Sequence, residues 1–328
     1  MKILVTGGAG YIGSVVVAQL VKARHQVVVY DDLSKGNRAA VHNSAALVVG
    51  NVGDRAALDS LFQDNAFDAV IHFAAFIEAG ESMQAPERYF RNNTANTLVM
   101  LEAMLAHRVA RFVFSSTAAL YGEPEHTPIR ENAHLLPTNA YGESKLLVEQ
   151  MLAWFYRVHG FSYASLRYFN AAGATAELGE MHRPETHLIP LILQVASGTR
   201  ENISVYGSNY PTPDGTCLRD YIHVADLANA HLLALEALAE RREPAQLIYN
   251  LGNGQGFSVR EVIEVARKIT GQAIPAVEAA RRPGDPAVLV ASSEKIRHEL
   301  GWAPQYTELD NIVGSAWEWL QRHPAGYR

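Results

Sequence analysis

From residue 2 to about residue 170 the chain alternates short runs that are apolar from end to end with longer stretches of helical pattern. "KILVTG", "QVVVYDD", "FDAVIHFAA", "VARFVFSSTAALYG" and "SYASLRYFN" read as strands. "YIGSVVVAQLVKARH", "DRAALDSLF", "PERYFRNNTANTLVMLEAMLAH" and residues 138–159 read as helices between them. A strand with one wet face alternates apolar and polar residues. These runs do not, so both of their faces must be covered. The expected fold is therefore α/β, a doubly wound (Rossmann-like) parallel sheet whose ligands bind beyond the carboxyl ends of the strands.

The rhythm breaks after about residue 170, where "GATAELGE", "YGSNYPTPDGT" and "AARRPGDP" are rich in Gly, Pro and polar residues. Helical pattern remains in "HVADLANAHLLALEAL" and "SVREVIEVARKIT", with a strand-like "QLIYNLGNG" between them. This predicts a first domain over 1–170 and a smaller mixed α/β domain over 171–328, with the chain returning to the first around 219–252. A length of 328 residues exceeds one small core and suits that division. The net charge of −6 argues against a nucleic-acid partner. No run of about 18 uncharged apolar residues offers a membrane span, and "MKILV" runs straight into glycines, unlike a signal peptide. The lone cysteine, Cys217, forms no intrachain disulfide, which points to a reducing cytoplasm. None of the 13 histidines has H-E-x-x-H or a similar ligand spacing, so no metal is expected.

"VTGGAGYIGS" falls between the first strand and the first helix with two overlapping spacings, Gly8-x-Gly10-x-x-Gly13 and Gly7-x-x-Gly10-x-x-Gly13. Glycines there let the backbone approach a pyrophosphate at a helix N-terminus, where unbonded amides point at the anion. Such a loop alone is a common turn. Asp31, at the end of the second strand, supplies the other half of a dinucleotide site. Its carboxylate accepts hydrogen bonds from ribose hydroxyls and repels a 2′-phosphate, which favours NAD over NADP.

"NAYGESKLLVEQ" puts Tyr141 and Lys145 one turn apart on one helix face. A phenol is a poor base at neutral pH, and lowering its pKa by about 3 units needs about 4 kcal/mol of phenolate stabilisation. Lys145 offers one positive charge and an oxidised nicotinamide a second. The strand 111–115 ends in Ser115, Ser116 and Thr117, and the Thr117 hydroxyl is placed to bridge a substrate hydroxyl and the Tyr141 oxygen. Y-x-x-x-K alone recurs on many helices by chance; behind the glycine loop and beside a hydroxyl-rich strand end, it reads as functional.

With these motifs the chain resembles the extended short-chain dehydrogenase/reductase family, and within it the nucleotide-sugar 4-epimerases, over nearly its whole length. The closer likeness lies in "DDLSKGN", "HFAA", "YGESK", "LRYFNAAGA", "HLIP", "VYGSNYPTPDGTCLRDYIHV", "YNLGNG" and "RRPGDP". The resemblance implies reversible 4-epimerisation of UDP-glucose and UDP-galactose through a 4-keto sugar, the C4 hydride passing to NAD and back. It implies Tyr141, Lys145 and Thr117 as the catalytic groups. NAD would lie along Gly7, Gly10, Tyr11, Ile12, Gly13 and Asp31, then Asn51, Val52, Phe73, Ala74 and Ala75. Asn92, Ser115, Tyr141, Lys145 and Tyr168 would face its nicotinamide half. The UDP-hexose would meet Thr117, Tyr141, Asn170, His187, Leu188, Arg219, Arg282 and Asp285, the two arginines matching a diphosphate. The same resemblance implies a homodimer pairing residues 86–107 and 141–159.

The chain departs from the family at four places. Asn51 stands where an Asp is usual, Ile77 where some epimerases have a lysine, and His187 where others have Asn. Leu289 is of middling bulk at a position associated with exclusion of N-acetylated sugars, so N-acetylhexosamine and uronic acid forms stay open as substrates. Ala118 and Ala119 follow Thr117 where a 4,6-dehydratase carries acidic residues. A reductase or dehydrogenase that releases its cofactor is a further reading. So, from another class, is a non-catalytic dinucleotide sensor, which has little need of Thr117, Tyr141 and Lys145 together. Plain readings also exist: Arg219–Asp220 as an ion pair, Arg281–Arg282 as solvated charges, Asn170 as a turn residue. Cys217 reads as a small buried hydrophobe and His223 as a local hydrogen-bonding group.

Overall fold

One seven-stranded sheet organises the computed structural model, which describes residues 1–282 and 285–327; Pro283 and Gly284 of "RRPGDP", and Arg328, lie outside the described residues. Its strands are β1 (Lys2–Thr6), β2 (Gln26–Asp31), β3 (Ala46–Val49), β4 (Ala69–His72), β5 (Arg111–Thr117), β6 (Ser162–Tyr168) and β7 (Gln246–Leu251). They lie in the order β7-β6-β5-β4-β1-β2-β3. Val5 of β1 stands opposite Val29 of β2 on one side and Ile71 of β4 on the other, both pairings parallel. Ile3, Leu4, Val5, Val70, Ile71, Phe112, Val113 and Phe114 are all at 0% exposure, so both faces of the central strands are covered as their unbroken apolar runs require. Strand β3 escaped the sequence reading because it is a short edge strand, with Val48 and Val49 exposed.

Helices α1 (Tyr11–Lys22), α2 (Arg55–Asp64), α3 (Asn96–Ala106) and α4 (Ala140–His159) cross between strands. Local chemistry sets their ends. The Asp54 side chain accepts from the Ala57 amide to start α2, and Asn139 accepts from the Gly142 amide at 2.8 Å to start α4. Gly160 ends α4 at φ 65°, where a Cβ would be strained. Leu58, Leu61, Phe62, Met100, Leu101 and Met104 pack with Phe112 and Phe114 into one core. The single helix expected over 86–107 is broken in three: Pro86–Tyr89, a π-helical turn Phe90–Ala95, and α3. Such turns accommodate a residue that the i−4 ladder cannot, often where side chains are needed for a site.

After β3 the chain crosses back past β1 to β4, so the loops leaving β1 and β4 diverge from adjacent strand ends. That divergence opens the crevice in which doubly wound sheets hold ligands.

The chain forms two compact units. The first comprises residues 1–120, 135–167 and 228–249, and the second 121–134, 168–227 and 250–328. The stretch 121–134, which the sequence reading leaves in the first domain, groups with the second. The second unit has its own core of Ile189, Ile192, Leu193, Val262, Ile263, Leu309, Ile312 and Val313. Its strands are short: Asn170–Ala172 pairs with Tyr221–His223, and Ile203–Tyr206 with Ala276–Ala279. Among the described residues no helix is long and apolar enough to cross a membrane.

A buried ion pair joins α4 to β6 in the first unit. The Arg167 guanidinium meets the Glu149 carboxylate at 2.5 Å, with side chains only 3% and 6% exposed. Ser116 donates to the same carboxylate at 2.6 Å, which commits its hydroxyl to structure. Replacing Arg167 by Leu would strand the Glu149 charge, so chemical denaturation is expected to register a loss of roughly 3–5 kcal/mol; a loss below about 1 kcal/mol would mean that water reaches the pair.

Candidate active site

The glycine loop needs three of its glycines for the protein's own packing, Gly8 among them because a Cβ there would lie 2.9 Å from Val29 Cγ1. A Cβ on Gly7, at φ 71°, would lie 2.5 Å from the Ala74 amide nitrogen, and one on Gly13 would lie 2.3 Å from the Gly7 carbonyl oxygen. Gly10 differs: its Cβ would come no closer than 3.3 Å to any protein atom. The bare face at Gly10, the cap of α1 with no side-chain hydrogen bond, is therefore open for close approach to the first-turn amides.

Asp31 is held beside this loop. Its Oδ2 accepts the Ala9 amide and its Oδ1 the Leu33 amide, each at 2.9 Å. Burial raises its pKa, and the two amides work against that rise. Each oxygen keeps acceptor capacity for a ribose hydroxyl. Asn51 donates to Asp32 Oδ2 at 2.9 Å and accepts the Gly53 amide at 2.8 Å, with Val52 buried next to it. On the β4 side, the Phe73 amide donates to the Thr6 carbonyl at 2.9 Å, setting Phe73, Ala74 and Ala75 against Gly7. Asp31, the glycine loop and the β4 exit thus line one crevice at the switch between β1 and β4.

Farther along the same strand ends, α4 begins against β5. Gly142 permits the contact, since a Cβ there would lie 2.6 Å from the Ala119 carbonyl oxygen. The Thr117 hydroxyl lies close enough to the Tyr141 oxygen to favour its phenolate form. Lys145, 2% exposed, donates through Nζ to the Ser115 carbonyl at 2.9 Å and lies 4.9 Å over the Phe114 ring. Tyr141, Lys145, Thr117 and Ser115 are therefore brought together within the first unit.

The sequence reading counts two positive charges toward the phenolate, Lys145 and an oxidised nicotinamide, and the chain itself carries only the first. The chain's own groups instead push Tyr141 up to about 12, through burial foremost and the Glu78 charge, against the Thr117 hydroxyl, which lowers it. Burial also takes Lys145 down to about 7. In a low-dielectric pocket each group is driven toward its neutral form, and a half-protonated ammonium cannot hold its neighbour as a phenolate. The fit to a dinucleotide is nonetheless good: an open glycine face, a ribose-competent carboxylate, and a half-buried phenol beside a buried amine where further positive charge would favour the phenolate.

Sequence reasoning missed the residues that hold this arrangement. Asn93, 2% exposed, donates to the Phe76 carbonyl at 2.9 Å and to Ser144 Oγ at 3.0 Å, and accepts the Phe76 amide at 2.8 Å. Its neighbour Asn92, half-buried, donates to it at 3.1 Å. The doublet was visible in sequence, but which asparagine points inward depends on the π-helical turn. Ser82 Oγ, also unforeseen, accepts the Tyr141 amide at 3.1 Å. Glu78 is half-buried, which works to raise its pKa, but Lys35 at 2.9 Å and the Ile77 amide hold it below the usual value.

In the second unit, Arg219 pairs with Asp285 and also donates to the Leu218 carbonyl at 2.8 Å. The Arg219–Asp220 ion pair does not form. Asp220, at 0% exposure, instead accepts the amides of Asn253, Gly254 and Ala291, and burial takes its pKa to about 6. Arg282 sits 3.9 Å over the Tyr206 ring, and its carbonyl accepts the Asp285 amide at 3.3 Å. The Asn170 amide donates to the Asp220 carbonyl at 3.0 Å. His187 caps the helix Leu188–Ala196, and Tyr168 closes β6 half-buried. His223, stacked on Tyr306 and hydrogen-bonded to Ser315 at 3.0 Å, is taken by burial to about 4 and stays neutral. Cys217 is buried and its thiol is pushed up by desolvation, as for an unreactive core residue.

A doubly wound sheet with this loop, acidic strand end and Tyr/Lys/Thr cluster defines a dinucleotide-dependent enzyme acting on alcohols or carbonyls. The chain belongs to the NAD dependent epimerase/dehydratase family, which it matches over residues 3–252. It is 52% identical to the UDP-glucose 4-epimerase of Halalkalibacterium halodurans, covering 100% of this chain and 98% of that one. A crystal structure of a UDP-glucose 4-epimerase superposes with a TM-score of 0.96 at 49% identity, covering 100% of both chains. The UDP-glucose 4-epimerase from Brucella ovis in complex with NAD gives 0.93 at 44% identity, covering 96% of this chain and 97% of that one.

The Lys145 shift has a signed consequence. With a folded pKa of about 7 against an ordinary 10.5, the unfolded chain binds a proton between these values that the folded chain does not. This group's contribution to stability therefore rises with pH across that window and is constant below it. In nucleotide-free protein the stability advantage of Lys145→Met over wild type should shrink from pH 7 to pH 9.5; a difference independent of pH would refute the lowered pKa.

Proposed function

We propose that the chain catalyses the reversible 4-epimerisation of UDP-glucose and UDP-galactose with NAD as its resident cofactor. The observation that carries this reading is the convergence of Thr117, Tyr141 and Lys145 at one crevice, in a chain similar to UDP-glucose 4-epimerases over its full length. When bound, NAD supplies a hydride acceptor and a positive charge. The amides around Gly7, Gly10, Tyr11, Ile12 and Gly13 would hold its pyrophosphate, and Asp31 its adenosine ribose. Asn51, Val52, Phe73, Ala74 and Ala75 would line its path toward Asn92, Ser115 and Tyr168.

Tyr141 removes the proton from the sugar 4-hydroxyl and returns it to the 4-oxygen after the keto sugar has turned. The Thr117 hydroxyl positions that oxygen. Lys145 is anchored on the Ser115 carbonyl, where its proton adds charge beside the phenol. Because the chain alone leaves the phenol near 12, Tyr141 becomes a competent base only when further positive charge enters the crevice. The design thus couples base strength to a loaded cofactor. In the second unit, Arg219 and Arg282 would grip the diphosphate, with Asp285, Asn170, His187 and Leu188 completing the nucleotide-sugar side. The first unit is accordingly the NAD-binding domain and the second the substrate domain, of an enzyme working in a reducing cytoplasm.

The test is purified protein with UDP-galactose and no added cofactor, followed by NMR. UDP-glucose should form; no product even with added NAD would sink the reading, and net NADH would indicate a dehydrogenase. Tyr141→Phe should retain NAD and lose roughly 10²–10⁴-fold in rate; a fully active variant would remove Tyr141 as the base.

We also infer a homodimer. Leu98 on α3, and Trp154 and Val158 on α4, are 36%, 62% and 64% exposed, an apolar face that the single chain leaves uncovered. Light scattering should give twice the chain mass, and Trp154→Glu should shift it toward one chain; a wild-type monomer would overturn the inference.

A further inference from the structure

Between the strand Asn170–Ala172 and the helix Leu188–Ala196, the second unit folds Glu180, His182, Glu185 and His187 onto one another. One ligand atom from each lies within 4.8 Å of the others. We propose that these four side chains form a binding site for a divalent first-row transition metal, zinc foremost.

Geometry comes first. Glu180 Oε1 lies 2.9 Å from His182 Nδ1 and 2.9 Å from His187 Nδ1, and Glu185 Oε1 lies 2.8 Å from His187 Nδ1. Around a zinc ion with ligand bonds of roughly 2.0–2.2 Å, a tetrahedron sets neighbouring ligand atoms about 3.3–3.5 Å apart. Three of the separations are shorter than that spacing and the widest extend toward 4.8 Å, so shifts of roughly an ångström bring all four groups onto a common centre.

Hydrogen bonding alone accounts poorly for the cluster. The Nδ1 of His187 has one proton at most, yet two carboxylate oxygens approach it. Charge points the same way. The Glu180 and Glu185 side chains are only 7% and 5% exposed, so two carboxylates converge on one nitrogen with little water to screen them. A dication satisfies both charges and uses the lone pairs of all four groups at once. The Glu185 carboxylate is fixed through Oε1, which accepts the Thr186 and His187 amides at 2.7 Å each, so Oε2 is the oxygen with lone pairs to offer an ion. His187 remains 39% exposed, which leaves a route in from solvent.

Two imidazole nitrogens with two carboxylate oxygens are a borderline donor set. It suits zinc or its first-row neighbours, and not magnesium or calcium, which take oxygen ligands and water. The sequence reading expects no metal, because it looks for H-E-x-x-H on a helix. The spacing here is E-x-H-x-x-E-x-H on an irregular loop, where only the folded backbone decides whether the side chains meet. A bound ion would tie that loop to the start of the following helix.

The experiment uses the full chain, stripped with chelator and titrated with Co2+ and then Zn2+. One Co2+ per chain is expected, with visible d–d absorption of a four- or five-coordinate site that Zn2+ abolishes. Zn2+ should also raise the melting temperature. His182→Gln and Glu185→Gln should each weaken binding by more than the roughly 10–100-fold typical of losing an outer-shell partner. No d–d band and no zinc retained through gel filtration would overturn the proposal, as would equal binding by wild type and both variants. Should a variant fail to fold, X-ray absorption on Zn2+-loaded wild type decides. Imidazole and carboxylate scatterers support the site, whereas a sulfur scatterer from Cys217 or a shell of six oxygens refutes it.

Discussion

The structure turns on one close approach, the backbone of Gly7 against that of Ala74 at the switch between β1 and β4. Two parallel strands can lie side by side with their following loops diverging only if nothing projects between the loop backbones. Gly7 meets that demand toward Ala74, and Gly13 meets it again beneath the loop. The crevice, the start of α1 and the position of Asp31 all follow from this contact. Gly10 is the loosest of the four, since a Cβ there would meet only the Gly7 carbonyl oxygen, at 3.3 Å, and its face is the one open to a ligand.

Burial governs the chemistry at the far end of that crevice. A pocket that drives Tyr141 toward the phenol and Lys145 toward the amine has lowered the solvation of both charged forms. The cost is held in check by fixed partners: the Ser115 carbonyl and the Phe114 face for Lys145, the Thr117 hydroxyl for Tyr141. Around them Asn93, Ser82 and Ser144 satisfy backbone groups that would otherwise be stranded. These bonds commit the polar atoms nearest the phenol and the ammonium, and a charge entering a low-dielectric pocket acts more strongly than it would in water.

The second unit solves a different problem. With short strands and long irregular stretches, it holds its loops through buried polar groups, such as Asp220 collecting three amides. The Glu180–His187 cluster belongs to the same strategy, joining a loop without secondary structure to a helix through side chains. Arg219 is kept partly buried by its pairing with Asp285, while Arg282 is exposed and held by stacking on Tyr206. Both guanidiniums are thereby pre-positioned instead of sweeping through solvent.

The sequence by itself determined the doubly wound sheet, because strands buried on both faces must be apolar throughout and the period of 2 disappears from them. It also determined the glycine loop, Asp31 and the Tyr141–Lys145 face, since each depends on spacing within one strand–loop–helix or one helical turn. Tertiary structure alone decided the rest. It alone chose Asn93 over Asn92, took Ser116 into the Glu149–Arg167 pair, moved 121–134 to the second unit, and gave Arg219 to Asp285 in place of Asp220. It alone set burial and the Glu78 charge against the Tyr141 phenolate and gathered Glu180, His182, Glu185 and His187. In each case the outcome depends on distance and dielectric between groups brought together by folding, and spacing along a chain carries information about neither.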